Sequence, residues 1–74
     1  MGVQIIMDRS GDTRHEFNEA DSASVALAEE RFRKLTGKGF RAVALAPSGE
    51  GGSLLKKFDA GVERTVFIPQ LIGG

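Results

Sequence analysis

The sequence contains no cysteine and a single histidine, His15. Without cysteine the chain can form no disulfide bond, offer no thiolate nucleophile and build no cysteine-based metal site. A Ser-His-Asp triad would depend on His15, but a chain of 74 residues has little room for a pocket that would organise it. We therefore interpret His15 as an exposed or half-buried histidine on a strand, and we expect no catalytic residue, no metal site and no bound cofactor.

The sequence also lacks an excess of charge of either sign and a long apolar run. Ten Lys and Arg residues balance ten Asp and Glu residues, which leaves no net field to attract nucleic acid or an acidic membrane. No apolar stretch approaches the roughly 20 residues of a membrane span, and the N-terminus lacks a basic region followed by an apolar one. These absences predict a cytoplasmic protein with neither nucleic acid nor a membrane as partner.

What the sequence does contain is the composition of one small globular domain. It is 41% hydrophobic and 27% charged, which is typical of folded proteins. A chain of 74 residues has room for one core only. Because such a chain buries about 60% of its unfolded surface, we expect a modest free energy of unfolding.

The first segment of the chain has the pattern of a β-hairpin. Residues 3–7 and 13–18 alternate with the period of two that is typical of strands. Between them, Arg9-Ser10-Gly11-Asp12 supplies turn-forming residues. The second strand places Thr13, His15 and Phe17 opposite Arg14 and Glu16. On the first strand, the side chains that we expect to start the core are Val3, Ile5 and Met7.

An amphipathic helix is predicted over residues 22–36. Asp21 or Ser22 is a suitable N-cap, and Gly37 is expected to stop the helix. The apolar residues recur at intervals of three and four; they are Val25, Ala28, Phe32 and Leu35. The outer face has Glu29 with Arg33 and Glu30 with Lys34 at the favourable spacing of four residues.

The rest of the chain predicts two strands separated by a loop and a short irregular piece. Residues 40–45 form a β-like run, and the glycine-rich segment 48–53 follows as a loop. Leu54, Leu55 and Phe58 are expected to pack as a short strand or turn. Residues 62–68 are apolar on much of both faces, which favours a central strand, and Pro69 is expected to end it.

Together these elements predict an α+β fold, with one helix packed on a four-stranded mixed sheet. The handedness of connections and the doubly apolar last strand favour first and last strands that lie side by side in parallel. This is the β-grasp, or ubiquitin-like, arrangement of β-hairpin, helix and two further strands. We assign residues 1–69 to the β-grasp domain and residues 70–74 to a flexible C-terminal tail that ends in Gly-Gly.

The last nine residues, Val66-Phe67-Ile68-Pro69-Gln70-Leu71-Ile72-Gly73-Gly74, resemble a known family. A last strand runs through an apolar-Pro-x-aliphatic segment into a terminal Gly-Gly, as in the ThiS- and MoaD-type sulfur carriers of thiamine and molybdopterin synthesis and, more distantly, in ubiquitin. Ile72 departs from the pattern, since many sulfur carriers have a smaller residue there. The resemblance implies a substrate or carrier rather than an enzyme, with a ubiquitin-activating-type adenylating enzyme as its partner.

The chemistry of such an end depends on the absence of side chains. Gly73 and Gly74 let the chain enter a narrow channel and leave the last carbonyl carbon unhindered. The partner would use ATP to adenylate the Gly74 carboxylate, and sulfur or an amine would then attack that carbonyl. Leu71 and Ile72 are expected to anchor the tail in an apolar groove of the partner. The sequence leaves open whether the chain delivers sulfur to an accepting enzyme or is joined to a target protein.

Other interpretations of the sequence are also open. Gly73-Gly74 is alternatively a frayed structural end, and the domain is alternatively a β-grasp module that binds a protein through a sheet face without tail chemistry. The 48–53 loop lacks the spacing of a phosphate-binding P-loop. Residues 8–12 resemble a calcium loop only loosely, and a hairpin turn is favoured there. The sequence does not fix the oligomeric state, and a weak dimer formed by pairing of edge strands is one alternative.

Overall fold

A computed structural model describes residues 1–45 and 52–69 of the chain, which form one helix packed on a mixed sheet. The elements follow in the order β1 (Gly2–Asp8), β2 (Gly11–Phe17), α1 (Ser22–Gly37), β3 (Phe40–Leu45), β4 (Gly52–Leu55) and β5 (Arg64–Pro69). The predicted α+β class, with a single helix on one face of the sheet, is confirmed for these residues.

The strands are arranged in the order β2-β1-β5-β3-β4. The first and last strands, β1 and β5, are parallel neighbours, with Val3 opposite Arg64 and Ile6 opposite Phe67. All other neighbouring strands are antiparallel. The central position of the last strand and its parallel pairing with the first strand are therefore confirmed.

The sheet has five strands among the described residues, so the expectation of four strands was wrong. The additional strand is β4, which pairs with β3 from Gly52 opposite Leu45 to Leu55 opposite Ala42. The glycine-rich composition predicted that Gly52 and Ser53 belong to a loop. A strand of four residues is too short for its alternation to be recognised, and pairing with β3 overrides the weak local preference.

The turn of the first hairpin is fixed by a side-chain carboxylate. One Asp8 carboxylate oxygen accepts a hydrogen bond from the Ser10 backbone N–H at 2.8 Å and another from the Ser10 hydroxyl at 2.6 Å. These bonds lower the pKa of Asp8, with the Ser10 hydroxyl as the largest cause. Gly11 follows with a φ of +120°, a conformation that side chains rarely adopt. The predicted turn is confirmed.

The helix begins and ends close to the predicted residues. Asp21 is the N-cap, and its carboxylate accepts from the N–H groups of Ala23 at 3.1 Å and Ser24 at 3.5 Å. The helix extends through Gly37, so the expected stop at that residue needs correction. The left-handed residue that reverses the chain is Gly39, with a φ of +99°.

The core lies between α1 and one face of the sheet. Phe32 of the helix packs edge-on against Phe67 of β5, with ring centroids 5.7 Å apart, and Ala42 of β3 completes the buried cluster. Phe58 lies beside this cluster at 6.0 Å from the Phe32 ring and 5.8 Å from the Phe17 ring. The predicted inner face of the helix is confirmed, since Ala28 and Phe32 are buried.

The face of β1 that meets the helix differs from the expected one. Gln4 is fully buried; its amide nitrogen donates to the Ala28 carbonyl at 3.0 Å, and its amide oxygen accepts from Arg31 at 2.8 Å. Ile6 packs against the core on the same face. Val3, Ile5 and Met7 lie on the opposite face, so the expectation that they start the core was wrong. Both faces of β1 carry apolar residues, so the pattern does not show which face is covered. The sequence alone also does not show whether a glutamine is exposed or is buried with its hydrogen bonds satisfied.

Candidate functional site

One face of the sheet is turned away from α1, and we call it the open face. Side chains alternate along each strand, so the residues between the core positions share this face. In the central strand β5 these residues alternate with Thr65 and Phe67, which face the helix. Strand by strand, the open face carries Asp12, Arg14 and Glu16 of β2, Val3, Ile5 and Met7 of β1, Arg64, Val66 and Ile68 of β5, Arg41, Val43 and Leu45 of β3, and Leu54 of β4.

The middle of the open face is a continuous aliphatic band. Val66 stands opposite Ile5 on one side and Val43 on the other, and Val43 in turn stands opposite Leu54. With these neighbours Val66 is only 8% exposed, although no other described element lies over it. Ile68 is 44% exposed and Leu54 is 56% exposed. Contiguous apolar surface of this kind commonly marks a protein-binding site.

The charges of the open face are distributed unevenly. The aliphatic band lies on the strands β1, β5, β3 and β4. Within the described ranges, the only charged residues that these four strands place on the open face are Arg41 and Arg64, and both are exposed. The acidic residues Asp12 and Glu16 lie on the edge strand β2, on either side of Arg14. The ion pairs among the described residues join Met1 to Glu19, Arg33 to Glu29 and Lys34 to Glu30. None of these pairs includes an arginine of the open face.

A shallow recess of about 290 Å³ opens at the start of β1. It lies on the open face between β2, β1 and β5, and its charged lining residues are Arg14, Glu16 and Arg64. Val3 and Ile5 form part of its floor. An aliphatic floor beside guanidinium groups suits a partner side chain that combines an apolar stem with a carboxylate.

The residues predicted to form the functional tail lie outside the described part of the chain. They are Leu71, Ile72, Gly73 and Gly74. The last described residue, Pro69, ends β5 opposite Phe40, which begins β3. Pro69 therefore lies where the C-terminal end of β5 meets the N-terminal end of β3. Arg41 stands opposite Ile68 at the same end of these two strands. The structure therefore brings the residue that precedes the tail close to one end of the open face.

Sequence reasoning predicted the tail residues, and it left binding through a sheet face open without naming any residue of the open face. Its signal was present in the runs 3–7, 41–45 and 64–68, each of which places aliphatic residues at alternate positions. Those same residues could equally have faced the helix. The decisive information is the position of α1, which is fixed by Phe32 and by the bonds of Gln4.

His15 lies half-buried on the edge strand β2, opposite Gln4. Its position agrees with the interpretation as a strand histidine. Within residues 1–45 and 52–69, no group of three or more His, Asp or Glu residues could hold a metal ion. In the same ranges, no helix is both long and apolar enough to cross a membrane. Comparisons of the chain with family models, with curated proteins and with solved structures found no match.

Proposed function

We propose that this chain is a β-grasp, ubiquitin-like carrier or modifier whose Gly74 carboxylate is activated by a partner enzyme. The observation that carries the proposal is the course of the central strand. β5 lies parallel to β1 in the order β2-β1-β5-β3-β4, and its last residue, Pro69, leads directly into the segment that contains Gly73-Gly74. A strand held by two neighbours is a rigid base from which the following residues can be presented.

The proposed reaction needs no catalytic side chain from this protein. The Gly74 carboxylate attacks the α-phosphorus of ATP, and pyrophosphate leaves to give an acyl-adenylate. Hydrosulfide then attacks the carbonyl carbon, displaces AMP and loses its proton to leave a thiocarboxylate. Alternatively, a target amine attacks, displaces AMP, loses a proton and forms an amide. The partner orients the reactants and stabilises the developing charge. Leu71 and Ile72 would hold the tail in the partner's groove.

The test is the mass of the intact protein as it occurs in its own cells. The proposal expects a mature chain that ends at Gly74, of which a fraction has one oxygen replaced by sulfur or is linked to an amine through Gly74. A variant that lacks Gly73 and Gly74 should show neither product, while a Gly61→Ala variant serves as a control glycine substitution. A natural chain that continues beyond Gly74 and is never trimmed would contradict the proposal.

A second candidate function is favoured by the open face. In this alternative the domain is a protein-interaction module that docks through the sheet and uses no tail chemistry. The supporting observation is the aliphatic band around Val66, because it is uncovered among the described elements. A gene lacking the codons for Gly73 and Gly74 distinguishes the two functions. The module retains its cellular role without these residues, whereas the carrier loses it completely.

A further inference from the structure

The aliphatic band of the open face requires an apolar surface on whatever covers it. Ile5, Val66 and Val43 lie side by side across three neighbouring strands. Covering them removes apolar surface from water, which is favourable by about 25 cal/mol per Å². A nucleic-acid backbone or a small phosphate ligand offers no such surface. The occupant of this face is therefore a protein surface with an apolar centre.

The two arginines of the band define the charge of that occupant. Arg41 stands opposite Ile68, and Arg64 stands opposite Leu45, so the arginines lie at opposite ends of the band. Four residues along the strand and one strand spacing separate them, which is about 14 Å between the backbone positions. The stem of an arginine lies well on aliphatic surface, and its guanidinium group binds carboxylates through two parallel hydrogen bonds.

The band of a second copy of this chain does not provide the required carboxylates, because the acids of the open face, Asp12 and Glu16, lie on the edge strand β2 beside Arg14. On the strands that form the band, the described residues of the open face include two arginines and no acid. Stacking two such bands would bury cations without pairing them, which is costly. Arg14 is flanked by Asp12 and Glu16 on the same face of β2, and Arg64 shares the recess at the start of β1 with Glu16. Arg41, at the other end of the band, lies away from these acids.

From this arrangement we infer that the open face docks a partner protein whose apolar centre is bordered by two carboxylates, one for Arg41 and one for Arg64. The inference deepens the proposed function, because it describes the surface of the partner. It rests on the proposed function in one respect, namely that the chain has a protein partner. It holds equally for a carrier that must dock on an activating enzyme and for a module that only binds. It is independent of the chemistry at Gly74.

The test selects peptides from a random phage-displayed library on the full chain, with elution by pH. The inference expects binders with aliphatic residues bordered by Asp or Glu. The strongest binder is then synthesised as a fluorescent probe, and its Kd is measured by anisotropy for the variants Arg41→Glu and Arg64→Glu. We expect each variant to bind about tenfold or more weakly, since one interfacial charge contact is lost and a repulsion is created.

Two control variants make the result specific. Arg33→Glu and Lys34→Glu each reverse an exposed charge on the helix, away from the open face; both should change the Kd by about twofold or less. A probe with its acids replaced by lysine should regain affinity for the double variant Arg41→Glu/Arg64→Glu. All the changed residues are exposed, and circular dichroism checks that each variant is folded.

Three outcomes would overturn the inference. They are selected peptides without acidic residues, equal binding by Arg41→Glu and the wild-type chain, and a dimer in sedimentation that Val43→Asp abolishes. The tail proposal is tested separately, because deletion of Gly73 and Gly74 should leave the Kd of the probe unchanged. A chain that binds the acidic probe but never acquires a modified Gly74 would retain the inference and reject the carrier.

Discussion

The covered and open faces of the sheet both carry apolar residues, and the covered face also buries polar ones. On the covered face, the polar residues Gln4 and Thr65 are 0% and 4% exposed. On the open face, the neighbouring positions Ile5 and Val66 are aliphatic, and no described element lies above them. The covered face is held by aromatic packing and by hydrogen bonds to the helix. Among residues 1–45 and 52–69, no element packs as a second layer on the open face.

The largest loss of stability is expected on the covered face, and it can be compared with the loss at the adjacent residue of β5 that lies on the open face. Phe67→Ala should lower the free energy of unfolding by about 3–5 kcal/mol, because it leaves a cavity under Phe32. Val66→Ala should cost about 1–2 kcal/mol, because the described neighbours of its side chain, Ile5 and Val43, both lie within the sheet. Urea denaturation measures both. Equal losses would show that the open face is packed as tightly as the covered face.

The next effect concerns the close contact at the start of β1. A Cβ atom at Gly2 would overlap the Phe17 ring, so Gly2→Ala should cost about 1–3 kcal/mol through overpacking. The matched control is Gly37→Ala, where an added Cβ meets nothing within 4 Å. That change should stabilise the helix by about 0.5–1 kcal/mol. Thermal unfolding distinguishes these opposite signs, and stabilisation by Gly2→Ala would contradict the packing described here.

A smaller effect is expected from the buried amide. Gln4→Met keeps much of the side-chain volume but removes the bonds to Ala28 and Arg31, so the variant should lose about 1–2 kcal/mol. Arg31→Met removes one of the same bonds. If the network acts as a unit, the double variant should lose less than the sum of the two single losses. Strict additivity in urea denaturation would mean that the bonds do not cooperate.

The smallest effect is a dependence of stability on pH at the first turn. Because folding lowers the pKa of Asp8 from its ordinary 3.8, the ionised carboxylate stabilises the folded state above that value. This contribution is lost as the pH falls through the lower pKa of the folded state. Asp8→Asn should reduce the acid sensitivity of the hairpin, as measured by unfolding at a series of pH values below 5. Glu63→Gln changes an exposed carboxylate away from the turn and serves as the control. An equal change in that variant would contradict a specific contribution of Asp8.

Much of the fold could be predicted from local patterns in the sequence. The helix was predictable because Ala28 and Phe32 share one face, and the central strand was predictable because Val66 and Phe67 are apolar on opposite faces. β4 was predicted only in part, as a short strand or turn at Leu54 and Leu55, because a strand of four residues depends on its partner for its structure. The orientation of β1 was missed because a glutamine at position 4 indicates solvent unless its partners on the helix are known.

The candidate site could be predicted only in part. The functional role of the tail glycines stays a prediction from residue type alone, because these residues lie outside the described part of the chain. The open face required the position of the helix, since alternation in a strand does not indicate which face is covered. Arg41 and Arg64 are 23 residues apart in the sequence, and only the antiparallel pairing of β3 with β5 brings them to one band.

The most direct test of the account is the exchange of pyrophosphate with ATP, catalysed by extracts of the cells that make this protein. The account predicts that the wild-type chain stimulates the exchange, that the chain lacking Gly73 and Gly74 does not, and that Arg41→Glu stimulates it only at about tenfold higher concentration. Arg33→Glu should match the wild type. Exchange that is equal with and without the wild-type chain would contradict the account.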